Sequence, residues 1–289
     1  MKRQAVTKLV ADFGLSIQRA TGLVQLRRST FYYRARTTRD DAPVISRMRT
    51  LIDAQKAIGL PMLHDILRRE GLVVNHKRTE RIYRQQGLAI ALRRHRKRAA
   101  STRLVLPAAR RPNERWSMDF MQGVLWGGRR FRLLTVVDQF TKECPVIEVD
   151  TSINGLRVSR VLDWLALTRG LPESITVDNG PEFAGMVLDR WAYAKHVKLA
   201  FIRPGKPVEN AFIESFNGRL RQECVNQHHF LDLEEARQTI EQWRNRYNDF
   251  RPHRSLNGMT PESFAQQWHA KNDTNSTPKL SHEPVQTTG

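Results

Sequence analysis

Cysteine is almost missing from this 289-residue chain: Cys144 and Cys224 are the only two, with no Cys-x-x-Cys pair and no Cys/His run. That shortage excludes a disulfide framework and a structural zinc site, and a reducing, cytoplasmic setting is expected. No apolar stretch approaches the roughly 20 residues that a membrane span needs. Met1-Lys2-Arg3-Gln4 opens into an amphipathic pattern, not an apolar signal core, so no membrane partner is expected. Acidic residues are scarce too, but only in one part. Residues 1–112 hold 26 Lys/Arg against 7 Asp/Glu, while 113–289 hold 22 of each, so the whole net charge of +19 lies in the first two fifths. Such a segment calls for a polyanion, most simply nucleic acid; the alternative is a merely soluble basic surface. Apolar residues are not short at 40%, enough for two or three small domains with cores.

Residues 1–42 read as three short helices. The first carries Val6, Leu9, Val10 and Phe13 and breaks at Gly14; Ser16 caps a second that ends at Gly22. Ser29-Thr30 is placed to cap a third with Phe31, Tyr32, Arg34 and Arg36. This is the outline of a helix-turn-helix, and equally of a helical bundle with no DNA role. Residues 43–92 repeat the outline more cleanly. Ile45, Met48 and Ile52 mark one helix, Pro61 begins a second that ends at Gly71, and Asn75 caps a third running to about Gln86. Its Ile82 and Tyr83 turn inward, while His76, Lys77, Arg78, Arg81 and Arg84 form a basic face. With Asn75 these are DNA-binding candidates, a solvated cationic face being the alternative. Arg93, Arg94, Arg96, Lys97 and Arg98 then put five charges into six residues. Within the linker 93–112 they suit a phosphate-tracking arm.

From residue 113 the texture is α/β. Strands are expected at 116–120, 131–137 and 144–149, then a helix with Val158, Val161, Leu162 and Leu165. A short strand at 174–177 ends at Asp178, and Glu182 opens a helix carrying Phe183, Val187, Leu188 and Trp191. A fifth strand at 197–202 and a helix with Ile213, Phe216 and Leu220 complete the set. The order β-β-β-α-β-α-β-α is that of a ribonuclease-H-like α/β domain, 113–225, followed by C-terminal helices at 233–248 and 260–268 and a disordered tail, 269–289. The handedness of crossovers sets the first and fourth strands side by side and parallel, so Asp119 and Asp178 face each other. Asp178 alone reads more readily as an Asx-turn or capping residue, and the two other carboxylates change that balance. Glu214, presented from the last helix of the set, adds a third acid. Three carboxylates at one sheet edge repel unless a divalent cation neutralises them, and hard oxygen donors select Mg²⁺ or Mn²⁺. Two such ions about 3.5–4 Å apart serve an in-line phosphoryl displacement. Arg221, two helical turns beyond Glu214, is placed to hold a DNA phosphate.

Three segments carry a resemblance: Trp116-Ser-Met-Asp119-Phe, Thr176-Val-Asp178-Asn-Gly-Pro-Glu-Phe183, and Asn210-Ala-Phe-Ile-Glu214-Ser-Phe-Asn-Gly-Arg-Leu-Arg221. They resemble the catalytic segments of DDE transposases with a retroviral-integrase-like core, including the 35 residues between the second and third acids. Asn75-His-Lys-Arg78, Phe201-Ile-Arg-Pro-Gly-Lys206 and Tyr247-Asn248 to Pro252-His253 extend the likeness over residues 15 to 268. It is closest to the second-frame (OrfB) protein of bacterial two-reading-frame insertion sequences. Relatives carry a Tyr-Gly-Tyr-Arg-Arg-like entry where this chain has Ile58-Gly-Leu-Pro-Met-Leu63, which counts against DNA contact through that helix. Asp138 reads as structural. The resemblance implies an Asp119–Asp178–Glu214 triad holding two Mg²⁺ or Mn²⁺ ions, with Lys206 and Arg221 on DNA. It also implies 3′-end cleavage and strand transfer on double-stranded element ends and target. A homo-oligomer in the active complex, the first-frame (OrfA) protein as partner and a nucleoid-associated location come with it. A nuclease of the same fold and a DNA-binding regulator are the rival readings.

Overall fold

A computed structural model describes residues 1–33, 40–55, 58–88, 108–180, 183, 185–203 and 210–273. They divide into two compact units, Met1–Pro43 and Val44–Gly289. In the first, α1 (Lys2–Phe13) stops at Gly14, whose φ of 60° is the left-handed conformation that a helix end asks of glycine. The Ser16 hydroxyl caps α2 (Ile17–Leu23), accepting from the Arg19 N–H at 3.3 Å. The third helix, α3 (Arg28–Tyr32), departs from expectation: Ser29 and Thr30 lie inside it and Arg27 precedes it without a side-chain cap bond. It ends at Tyr32, and Arg34 and Arg36 lie outside the described residues.

The second unit starts within the first turn of α4 (Ala42–Ala54), which forms a three-helix module with α5 (Leu60–Arg69) and α6 (His76–Gln85). Asn75 Oδ1 accepts from the Lys77 N–H at 2.9 Å, satisfying a first-turn donor of α6. Met48, Leu51, Ile66, Leu67 and Ile82 close the module's core, and Thr79 bonds His64 Nδ1 at 2.9 Å between α5 and α6.

Beyond it lies a five-stranded sheet: β1 (Arg115–Val124), β2 (Arg130–Asp138), β3 (Val146–Asp150), β4 (Ser174–Val177) and β5 (Lys198–Phe201), in the order β3-β2-β1-β4-β5. The first three pair antiparallel, and β1–β4 and β4–β5 pair parallel. This is the ribonuclease-H-like arrangement expected, with the first and fourth strands adjacent. Strand alternation divides the core between two faces. Trp116, Met118, Ile175 and Val177 pack against α7 (Gly155–Thr168) and α8 (Met186–Lys195). Met121, Leu133 and Val137 pack against α9 (Ala211–Leu220), the π-helical turn Arg221–Val225 and α10 (Leu233–Asp249).

β1 continues past the expected 120 to Val124, β2 gains a residue at each end of 131–137, β5 is shorter than 197–202, and three further boundaries differ from expectation. β3 starts at Val146, because Cys144 is tied instead to Asn248, whose Oδ1 accepts its N–H at 2.9 Å. The helix after Asp178 starts at Met186, while Phe183 sits in a turn with its N–H on Gly180 O at 3.0 Å; Glu182 lies outside the described residues. The last helix, α11 (Pro261–Asp273), runs past 268, so residues 269–273 of the expected tail are helical and 274–289 lie outside the described residues.

Candidate active site

β1 and β4 run parallel with Trp116 opposite Ile175 and Ser117 opposite Thr176. Two residues further along each chain come Asp119 and Asp178. Since side chains alternate, both aspartates belong to the face that packs on α9, opposite the face of Trp116 and Met118. The register is locked just before them by a buried polar bridge. Gln139 Nε2 donates to Ser117 Oγ at 2.7 Å and lies 3.3 Å from Thr176 Oγ1. Polar side chains in a sheet interior cost stability unless bonded, and here they fasten two strands at the level of the acids.

Asp119 is half-buried at mid-strand. Its Oδ1 accepts from the Phe120 N–H at 2.8 Å and its Oδ2 from Asn217 Nδ2 at 2.8 Å. The buried Thr135 hydroxyl on β2 donates to Asn217 Oδ1 at 2.9 Å, which turns the amide so that its NH₂ group points at the carboxylate. Despite two donors, the Asp119 carboxyl is pushed up to about 6, first by burial and then by the charges of Asp178 and Glu214. The charges of Asp178 and Glu214 are therefore felt at Asp119.

Asp178 forms the Asx-turn that its position suggests, Oδ1 accepting from the Gly180 N–H at 3.0 Å. Its other oxygen remains for the site. Phe183, fully buried, stacks on Phe120 at 4.9 Å and anchors the turn to β1. Glu214 is exposed in the first turn of α9, whose Ile213, Phe216 and Leu220 are buried. Asn217 follows Glu214 by three residues, so the two share one side of the helix. Among the described residues no three His, Cys, Asp or Glu side chains are gathered closely enough to hold a metal ion. The three carboxylates thus neighbour one another electrostatically without being drawn to a common ligand point. As donors they fit a hard divalent cation, since all three are carboxylates offering anionic oxygens.

Asp138 is committed to the fold, its oxygens accepting from the backbone of Asn113, Phe140 and Thr141 at 2.8–3.0 Å. Arg221 is exposed at the end of α9, two turns from Glu214 on the same side. On α6, His76, Lys77, Arg81 and Arg84 are exposed and Arg78 half-buried, with Asn75 exposed at the cap. Arg93, Arg94, Arg96, Lys97, Arg98 and Lys206 lie outside the described residues. Sequence reasoning missed Asn217 and the Gln139 bridge. A signal existed for the bridge: Ser117-Met-Asp119 and Thr176-Val-Asp178 repeat a hydroxyl two residues before each acid.

Integrase core domain families match residues 109–207 and 195–261, and an HTH-like domain family matches 38–98. The chain is 46% identical over 261 residues to an uncharacterized protein of insertion element IS407 from Burkholderia multivorans, covering 90% of this chain and 94% of that one. It is 39% identical to an uncharacterized protein of insertion element IS476 from Xanthomonas euvesicatoria, covering 96% and 80%. Among solved structures, a chain of the simian T-cell lymphotropic virus intasome in complex with PP2A regulatory subunit B56 gamma shares the fold. Its TM-score is 0.50 at 15% identity, over 85% of this chain and 80% of that chain.

Proposed function

This chain belongs to the second-frame (OrfB) transposase family of bacterial two-reading-frame insertion sequences, and from that premise we propose that it cleaves and joins the DNA ends of its element with an Asp119–Asp178–Glu214 triad. The observation that supports this reading is the parallel β1–β4 register, which runs to within two residues of Asp119 and Asp178, together with the bond to Asp119 from Asn217 on α9, the helix that carries Glu214. The three carboxylates would hold Mg²⁺ or Mn²⁺, one or two ions. When bound, the cation supplies positive charge against the phosphoryl oxygens and lowers the cost of forming the attacking oxygen nucleophile.

The chain's own groups have separate tasks. Asn217 fixes the Oδ2 side of Asp119, and the Gln139 bridge keeps β1 and β4 from sliding, so two ligands arrive pre-aligned. Arg221 offers an exposed cation to a neighbouring phosphate. In the first step a water oxygen forms a bond to phosphorus and a 3′-oxygen leaves as a hydroxyl. In the second, that 3′-oxygen attacks another phosphodiester, so one P–O bond forms as one breaks and no covalent protein–DNA intermediate is needed. The basic face of α6, with Asn75, His76, Lys77, Arg78, Arg81 and Arg84, binds the element end. The cationic run at Arg93, Arg94, Arg96, Lys97 and Arg98 and Lys206 add phosphate contacts. Joining two ends calls for at least two copies in the active complex, and the first-frame protein is a candidate partner on the nucleoid.

The test supplies a pre-nicked element end and target DNA with Mn²⁺. Asp119→Asn, Asp178→Asn and Glu214→Gln should each abolish joined product while electrophoretic mobility shift shows DNA still bound. Activity retained in any one variant removes that residue from the triad, and hydrolysis with no joined product makes the protein a nuclease.

A further inference from the structure

A cavity of about 630 Å³ opens between α9, the segment following α10, and the first turns of α5. Its lining is cationic: Lys142, Arg219, Arg251 and Arg254 face a single carboxylate, Asp65. Arg251 is neutralised by Glu223, whose Oε1 is 2.6 Å away. Arg219 and Arg254 are not: among the described residues neither guanidinium has a hydrogen-bond or ion-pair partner. Lys142 Nζ donates to the Gln139 backbone carbonyl and lies 3.8 Å from the centre of the Phe212 ring, which is 41% exposed, so it is already engaged and adds only its charge to the cavity. Deeper in, His253 is 6% exposed, stands edge-on to Tyr247 at 5.0 Å, and leaves its buried Nε2 without a partner. Burial, with Arg219, Arg251 and Lys142 around it, keeps that imidazole neutral, pushed down to about 3.

Unpaired cations beside a buried, unbonded ring nitrogen cost stability, so their persistence marks a place that an anion completes. The volume lies within the range of a small-ligand site and exceeds what a bare phosphate fills. A cationic rim next to an exposed aromatic ring is the combination that grips single-stranded nucleic acid, phosphate on the charges and base on the ring. Position adds to this. Phe212, Ser215 and Arg219 line the cavity from the same helix that carries Glu214, about a third of a turn round α9 from it.

We propose that this cavity holds one nucleotide of the DNA strand next to the reacting phosphodiester, its phosphate bound by Arg219 and Arg254 beside the charge of Lys142, with His253 Nε2–H as the inner donor, and its base against Phe212. The proposal rests on the reading of DNA as substrate and adds a subsite apart from the triad. It also gives the departure at Ile58-Gly-Leu-Pro-Met-Leu63 a use. Pro61 and Met62 at the start of α5 form a wall of this cavity, so a bound nucleotide touches the helix-turn-helix module and the catalytic core together.

The test uses the full chain and a fluorescent single-stranded oligodeoxynucleotide, with affinity followed against salt. Each lost phosphate contact shallows the slope by about 0.7 on single strands. Arg254→Gln should therefore lose about 0.7, and Arg219→Gln with Arg254→Gln about 1.4, with melting temperature unchanged or higher because unpaired cations have gone. Arg190→Gln, an exposed arginine on α8, should leave the slope as it was. An abasic analogue should bind the native chain more weakly, and that penalty should shrink in Phe212→Ala. Equal slope loss in Arg190→Gln and the cavity pair, or an abasic penalty untouched by Phe212→Ala, overturns the subsite. Absence of any DNA binding by the native chain would refute the substrate reading and the subsite with it, whereas intact binding with unchanged slopes in the cavity variants overturns the subsite alone.

Discussion

Replacing Asp119 by asparagine should make the metal-free protein more stable while it abolishes catalysis. The Asp119 carboxyl is raised from 3.8 to about 6 by burial and by the charges of Asp178 and Glu214. Its folded form therefore holds a proton more tightly than the unfolded chain does, and the ionised group costs stability at every pH above about 6. That cost fades as pH falls through 6 and is gone below 3.8. Two units correspond to about 3 kcal/mol at 1.36 kcal/mol each. Solvent at the half-open site reduces this to about 2 kcal/mol. An amide keeps the shape but has one acceptor oxygen for the two donors from Phe120 and Asn217, which returns about 1 kcal/mol. The net gain of about 1 kcal/mol is worth roughly 2–4 °C in melting temperature for a domain of this size. Thermal melts with a chelator at pH 7.5 should show that gain, and at pH 4.5 it should vanish because the native carboxyl is then protonated. Added Mn²⁺ should raise the melting temperature of the native chain and leave Asp119→Asn unmoved. A variant less stable than the native chain at pH 7.5, or an advantage that survives at pH 4.5, would refute the reasoning.

Asn217→Ala removes a donor that favours the charged form of Asp119, so the acid limb of the strand-transfer pH profile should move to higher pH by up to about one unit. An unmoved limb with a merely lower rate would reduce Asn217 to a packing role. Gly123→Ala places a methyl where the Phe131 ring sits, 2.2 Å from its nearest carbon, and should cost about 1–3 kcal/mol in urea unfolding. Pairing it with Phe131→Leu should recover part of the loss; a neutral single variant would mean that the β1–β2 hairpin yields more easily than its packing suggests.

Much of this architecture can be read along the chain because it is local. Asn75 and Ser16 cap the helices that follow them, Gly14 ends α1, and the apolar stripe of Ile213, Phe216 and Leu220 is buried as its spacing requires. The strand order and the approach of Asp119 to Asp178 also follow from the element sequence and the handedness of crossovers. Boundaries set by distant partners were not legible. Cys144 leaves β3 for Asn248, and the turn after Asp178 is held by Phe183 against Phe120.

Composition and spacing alone determined the charge division, the ribonuclease-H-like order and the three acids, since each rests on patterns within a few residues or on residue type. Tertiary structure decided what surrounds the acids. Gln139 meets Ser117 and Thr176, Thr135 turns Asn217 toward Asp119, and Lys142, Arg219, His253 and Arg254 gather around one cavity from segments up to 112 residues apart. A hydrogen bond or a cluster of unpaired charge is a property of distances in space, and no periodicity along the chain encodes those distances.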